Sequence, residues 1–127
     1  MNESVSVETL SSISLNDAAA LARLLGQLST TATFDSGRLH AIIYHEATEL
    51  LVARVGGQIV GMATFVSFPL PTGLRGHVED VVVDESMRGR GIAQKLLETM
   101  TTMAGERGLR NAQPQLATVA RIGSAAL

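Results

Sequence analysis

The sequence predicts an α/β (α+β) domain, a mixed and mostly antiparallel sheet flanked by helices, and three observations predict it. Two β-rich runs, Glu49 to Val55 and Gln58 to Ser67, are joined by Gly56-Gly57, a pair that tolerates the positive φ angles of a tight hairpin turn. Before them lie two segments with apolar residues at helical spacing, and after them a valine-rich run leads into a long helical pattern. The resulting order β-α-α-β-β-β-α places antiparallel hairpins early and a strand-to-helix crossover late.

Each element has its own local cause. Val5 to Leu10 alternates apolar and polar residues as a strand does. Ser14 followed by Asp17 is a variant of the capping box, and Leu21, Leu24, Leu25 and Leu28 then share one helical face that needs a core partner. Asp35 or Ser36 caps a second helix with Leu39, Ile42 and Ile43 inward. Beyond the Gly-Gly hairpin, Pro69, Pro71 and Gly73 break the pattern before a strand from about Arg75 to Asp84. The consecutive valines Val81, Val82 and Val83 predict cover on both faces of that strand and a place in mid-sheet. From Gly89 to Arg107, Ile92, Leu96, Met100, Met103 and Ala104 recur at helical spacing, with Met100 and Met103 as core residues and Gly108 as the stop.

Composition narrows the function classes. A chain of 127 residues suffices for one hydrophobic core, and 46% apolar against 17% charged residues excludes a disordered tail. With a formal net charge of −2 and no basic run, no nucleic-acid partner is expected. There is no cysteine, hence no disulfide or thiolate metal site. His40 and His45 lie five apart on a predicted helix and His77 stands elsewhere, without a matching carboxylate pattern. No metal site is expected, and the three are read as surface or acceptor-side residues. No stretch approaches a membrane span and the N-terminus lacks a secretory pattern, so the expected location is cytoplasmic, without membrane association.

The chemical signal lies where the valine strand meets the long helix, at Arg88-Gly89-Arg90-Gly91-Ile92-Ala93. Glycines let backbone N–H groups approach a ligand, and a helix start carries unpaired donors and partial positive charge. This turn is suited to a phosphate or pyrophosphate, with Arg88 and Arg90 adding side-chain charge. A P-loop requires Gly-Lys-Ser or Gly-Lys-Thr, which is missing, and a dinucleotide fingerprint belongs at an early strand.

Arg-x-x-Gly-x-Ala after a Val-rich strand ending in Asp resembles the acetyl-CoA pyrophosphate loop of the GNAT superfamily of N-acetyltransferases, with Arg88, Gly91 and Ala93 at the matching positions. The order of elements from Val5 to Gly108 also follows that superfamily. Gly76-His77-Val78-Glu79-Asp80-Val81-Val82-Val83 is similar to the central strand of its glucosamine-6-phosphate N-acetyltransferase type. The resemblance implies acetyl-CoA as acyl donor, held by the turn, with backbone groups of Val81 to Val83 pairing with its pantetheine arm almost as an added strand. It implies as acceptor a primary amine of a small molecule, amino sugar or peptide. The segment from Ser29 to Phe34 corresponds to the part that borders that acceptor. Glu79, nine positions before Arg88, either accepts the amine proton directly or through water, or merely orients the strand or touches the acceptor. Asp80 is expected on the opposite face of the strand. A backbone N–H near Val81 is the expected oxyanion donor.

The resemblance covers residues 1–111, taken as the acyl-CoA-binding domain, and 112–127 form an atypical tail. The superfamily pattern continues with a fifth strand, a helix carrying a tyrosine acid and a closing hairpin, whereas here the only tyrosine, Tyr44, precedes the glycine turn. Codons permissible for Ala112 to Leu127, read one nucleotide later, can spell Pro-Asn-Leu-Asn-Ser-Arg-Pro-Ser-Arg-Gly-Ser-Ala-Ala-Arg-Leu-Tyr, which resembles the missing segment. A frameshift near codons 111–112 is therefore expected, and the gene sequence tests it. Uncovered apolar surface at the late sheet edge predicts a homodimer, which sedimentation showing only monomer at micromolar concentration would remove. The alternative to an N-acetyltransferase is a catalytically impaired acyl-CoA-binding or dimerisation module; a third reading is a mononucleotide-binding domain.

Overall fold

The computed structural model describes residues 4–109. In chain order it contains β1 (Val5–Thr9), α1 (Leu15–Leu28), α2 (Ser36–Tyr44), β2 (Thr48–Val55), β3 (Gln58–Leu70), β4 (Gly73–Val83), a 3-10 turn (Glu85–Met87) and α3 (Ile92–Glu106). The four described strands lie in sequential order and every neighbouring pair is antiparallel. This is the expected mixed α+β architecture.

The local signals act as their chemistry dictates. Ser14 Oγ accepts from the Asp17 N–H at 3.0 Å, and Asp35 Oδ1 accepts from the Arg38 N–H at 3.2 Å, so each early helix begins on a side-chain cap. Gly56 and Gly57 adopt φ of 58° and 82° between β2 and β3. Two boundaries differ from expectation. β3 continues through Pro69 to Leu70, because its pairing with β2 ends at Thr48 opposite Val66 and a missing N–H beyond that point deprives no second neighbour. β4 accordingly starts at Gly73 and ends at Val83.

Helices cover both sheet faces. α3 lays Ile92, Leu96, Met100 and Ala104 on one face against Leu51, Ala63, Phe65, Val78, Val81 and Val83. α1 and α2 pack on the other, where Leu21 and Leu24 meet Leu50, Val52, Met62 and Val82. The three valines are therefore buried from both sides, and β4 is the last strand of the sheet among the described residues. Burial came from helices above and below, which the valine run reports; lateral neighbours leave no such mark on composition.

Buried charge ties the α1 side together. Arg54 Nη1 and Nη2 donate to Asp17 Oδ1 and Oδ2 at 3.0 and 2.9 Å across the β2 and α1 boundary. These hydrogen bonds hold the Asp17 carboxyl below the ordinary carboxylate range, against the burial that raises it. Hydrogen bonding by Gln27 chiefly, aided by Ser86 and Arg23, likewise lowers Asp84. Both groups bind protons less readily folded than unfolded. Their stabilisation is complete above the ordinary value of about 3.9 and is lost as pH falls through the lowered folded values. The melting temperature is expected to decline on acidification through this window. Asp17→Asn should cost about 2 kcal/mol at neutral pH and show a shallower acid decline; parallel acid profiles would exclude Asp17 as a source.

Candidate functional site

The turn between β4 and α3 is built around two left-handed glycines, Gly89 at φ 80° and Gly91 at φ 77°. Gly91 is the N-cap of α3, and as glycine it supplies no side-chain oxygen to the helix start. The first intrahelical bond is Lys95 N–H to Gly91 C=O at 3.0 Å, so the N–H groups of Ile92, Ala93 and Gln94 precede the helical ladder. They open onto a cleft of about 400 Å³ lined by Val83, Met87, Arg88, Gly89, Gly91, Ile92, Ala93, Gln94 and Leu97. Arg90 does not line this cleft, although it is exposed beside it like Arg88. Neither arginine forms a salt bridge among the described residues.

The turn is anchored from an unexpected direction. Gln27 on α1 donates through Nε2 to Asp84 Oδ1 at 2.7 Å and accepts the Glu85 N–H on Oε1 at 2.8 Å. Ser86 Oγ donates to Asp84 Oδ2 at 2.7 Å. One amide thus fixes the chain where it leaves β4. Sequence reasoning missed Gln27 because a polar residue flanking a leucine stripe looks like an ordinary solvent-facing position, and its partner is 57 residues away.

Backbone direction distinguishes the three valines. The Asp84 N–H donates to Val60 C=O at 2.8 Å, so Asp84 aims its main-chain groups at β3. Alternation along an extended strand gives Val82 the same direction and turns the groups of Val81 and Val83 to the outer edge. Val82 pairs with Met62 and is engaged inside the sheet; Val81 and Val83 present donors and acceptors along the side where no described strand lies. Of the three valines expected to contribute backbone groups, Val82 has its own turned to β3.

β4 also contains a bulge. Met62 pairs with Val82 and Thr64 with Glu79, so Ala63 alone opposes both Asp80 and Val81. Asp80 takes φ 54°, the only non-glycine positive φ among the described residues. The extra residue interrupts alternation: Val78 and Val81 both enter the core beneath α3, with Glu79 and Asp80 between them. Asp80 lines a second cavity of about 190 Å³ on the α1 and α2 side, together with Thr64, the register partner of Glu79. The expectation that Asp80 points away from Glu79 is overturned, because simple period-two alternation does not survive a bulge.

His77 Nε2 lies 2.5 Å from Glu79 Oε2, with about 30% of either side chain exposed. This histidine is the imidazole partner of the candidate base, on the same strand face two residues away. Ala32 and Phe34 of the predicted acceptor-bordering segment also line the smaller cavity. Tyr44 lies elsewhere, exposed on α2 and stacked on His40 with ring centroids 6.5 Å apart. Among the described residues no cluster of three or more His, Cys, Asp or Glu is arranged to hold a metal, and no helix is long and apolar enough to cross a membrane. The expected fifth strand, tyrosine-bearing helix and tail alteration concern residues outside the described ones.

A strand edge with outward polar groups running into an uncapped, glycine-framed helix start is suited to an extended ligand that ends in phosphate. The chain belongs to the acetyltransferase (GNAT) family, whose sequence profile matches residues 19–121. Among solved structures, a ribosomal-protein-alanine N-acetyltransferase from Brucella melitensis biovar Abortus 2308 is 32% identical, with a TM-score of 0.69 over 84% of this chain and 76% of that one. Glucosamine-6-phosphate N-acetyltransferase from Arabidopsis thaliana is similar in fold at 23% identity and TM-score 0.67, over 85% of this chain and 79% of that one. A predicted acetyltransferase with acetyl-CoA from Clostridium acetobutylicum shares the fold at 18% identity and TM-score 0.63, over 84% and 77% of the two chains. No curated protein sequence matches the chain. The family is one of acyl-CoA-dependent N-acetyltransferases that use acetyl-CoA, and the alternative of a non-catalytic binding module is not favoured.

Proposed function

We propose that this protein transfers the acetyl group of acetyl-CoA to the primary amine of a small molecule, amino sugar or peptide, with Glu79 as the base. The observation that carries this reading is the bulge, which sets the Glu79 and His77 pair beside the outward edge of Val81 and Val83. In this reading Val81 and Val83 bond the pantetheine arm, and the N–H groups after Gly91, with Arg88, hold the pyrophosphate. Arg90 contributes charge from the rim.

Glu79 accepts the proton that the amine loses as its nitrogen bonds to the thioester carbonyl carbon. The Val81 N–H donates to the carbonyl oxygen as that oxygen gains negative charge. Breaking the carbon–sulfur bond releases the thiolate, which takes a proton from water in place of the tyrosine acid. His77, bonded to Glu79 Oε2, orients the carboxylate and is placed to share the proton. Residues 1–111 constitute the catalytic domain and 112–127 its tail, in a cytoplasmic homodimer with no nucleic-acid partner.

The direct test is melting with and without acetyl-CoA. At about 100 times its dissociation constant a ligand adds roughly 2.7 kcal/mol. A clear rise, with CoA released only when amine is present, supports the reading; an unchanged melting temperature overturns it.

A further inference from the structure

Asp84, the residue that follows β4, is bonded through main chain and side chain alike. Its N–H donates to Val60 C=O on β3 and its C=O accepts the Met87 N–H, each at 2.8 Å. Its carboxylate accepts from Gln27 Nε2 and from Ser86 Oγ, each at 2.7 Å, while Gln27 Oε1 accepts the Glu85 N–H at 2.8 Å. Arg23, half exposed and one turn earlier in α1, brings Nε to 3.9 Å from Asp84 Oδ1. The Asp84 side chain thus lies on the α1 side, whereas its neighbour Val83 and the Met87 bonded to its C=O line the glycine cleft. α1 has other holds on the sheet: Leu21 and Leu24 are buried there, and Asp17 pairs with Arg54 near the helix start. The amide of Gln27, the penultimate residue of α1, is left to act on the turn. A neutral amide offers a donor to the carboxylate and an acceptor to the adjacent N–H; a carboxylate there would lack the donor, and a hydrocarbon would lack both.

We propose that Gln27 is a positioning residue for acetyl-CoA: without touching the ligand, it clamps Asp84 and Glu85 and so fixes the direction in which the turn presents the N–H groups of Ile92, Ala93 and Gln94 to the pyrophosphate. This rests on the acetyltransferase reading and adds to it a residue from outside the glycine motif. With the clamp released, the chain from Val83 to Arg88 gains freedom that ligand binding must then remove, and the cost appears in affinity. The clamp also governs charge. Hydrogen bonding, by Gln27 chiefly, holds the Asp84 carboxyl below the ordinary carboxylate range, so the group is ionised at neutral pH. Asp84 does not line the cleft; swung toward it, the same carboxylate would repel phosphate. Gln27 therefore serves the turn twice, by limiting its motion and by keeping a negative charge behind it.

The experiment titrates acetyl-CoA into the full chain by calorimetry, and a cooperative melting transition verifies that each variant is folded. Gln27→Glu keeps the shape but sets one carboxylate against another, so the dissociation constant should rise on the order of thirtyfold. Gln27→Met removes both bonds without adding charge and should raise it about tenfold; it carries the comparison if the first variant does not fold. Combining Gln27→Glu with Asp84→Asn reverses donor and acceptor at unchanged net charge. The new amide donates to the new carboxylate, whose other oxygen still accepts the Glu85 N–H, and Ser86 Oγ still finds an oxygen. That pair should bind within about threefold of the parent, a recovery that a general loss of stability does not produce. Equal dissociation constants across the folded variants, or a reversed pair no tighter than the single variants, overturn the inference. A parent chain that takes up no acetyl-CoA overturns the acetyltransferase reading itself, so the two failures are distinct.

Discussion

Glu79→Gln is expected to lower kcat/KM for amine acetylation by about 10² to 10⁴-fold, the range general-base catalysis contributes. Glutamine keeps the size and planarity of the side chain and can still bond His77 Nε2, so the strand and the bulge should persist. What disappears is the group able to take a proton. The acetyl-CoA melting rise should survive, because the carboxylate stands apart from the glycine cleft. Stopped assays of CoA release over a range of pH check this. A rate within a few-fold of the parent would show that Glu79 orients the strand or touches the acceptor without acting as base.

Gly91→Val should remove most of the acetyl-CoA melting rise. Gly91 holds φ 77°, which a β-branched residue adopts only with strain, and the destabilisation of the ligand-free protein is expected to be about 1 to 2 kcal/mol. Among the described residues no atom beyond its chain neighbours lies within 4 Å of a Cβ placed there, so this cost is conformational, without a clash. The larger effect falls on the ligand. Turning the first helical N–H groups by even a modest angle weakens hydrogen bonds to phosphate oxygens worth about 1.5 to 3 kcal/mol each, so affinity should drop on the order of a hundredfold. Titrating the melting temperature with acetyl-CoA measures it. An unaltered titration would place the pyrophosphate elsewhere.

The sequence disclosed those features that depend on neighbours along the chain. Ser14, Asp35 and the Gly56-Gly57 pair each state a dihedral or a cap, and the structure contains all three. The leucine face of α1 and the Ile92, Leu96, Met100 face of α3 state a burial direction; Leu21 and Leu24 of the first and all three of the second are buried, with Leu25 and Leu28 partly so. Hidden features depend on pairing. Glu79-Asp80 offers no compositional sign of a bulge, since it arises from a mismatch with Ala63 on another strand. The clasp of Gln27 on Asp84 depends on how α1 lies across the sheet. Among the site residues, the glycine turn was legible because its backbone chemistry is written in residue type, whereas Asp80 was misplaced by one broken step of alternation.

That step also governs how β4 can change over generations. Substitution at 79 or 80 alters one side chain, whereas losing either residue would restore uniform alternation and keep every face, because Val78 and Val81 would then lie two positions apart. Val78, Val81 and Val83 would stay in the core beneath α3, and Val82 on the opposite side. The extra residue is therefore not required by the packing of the strand; what it adds is a second acidic position between two core valines, so a chain one residue shorter here would keep its core and lose one of its two neighbouring carboxylates.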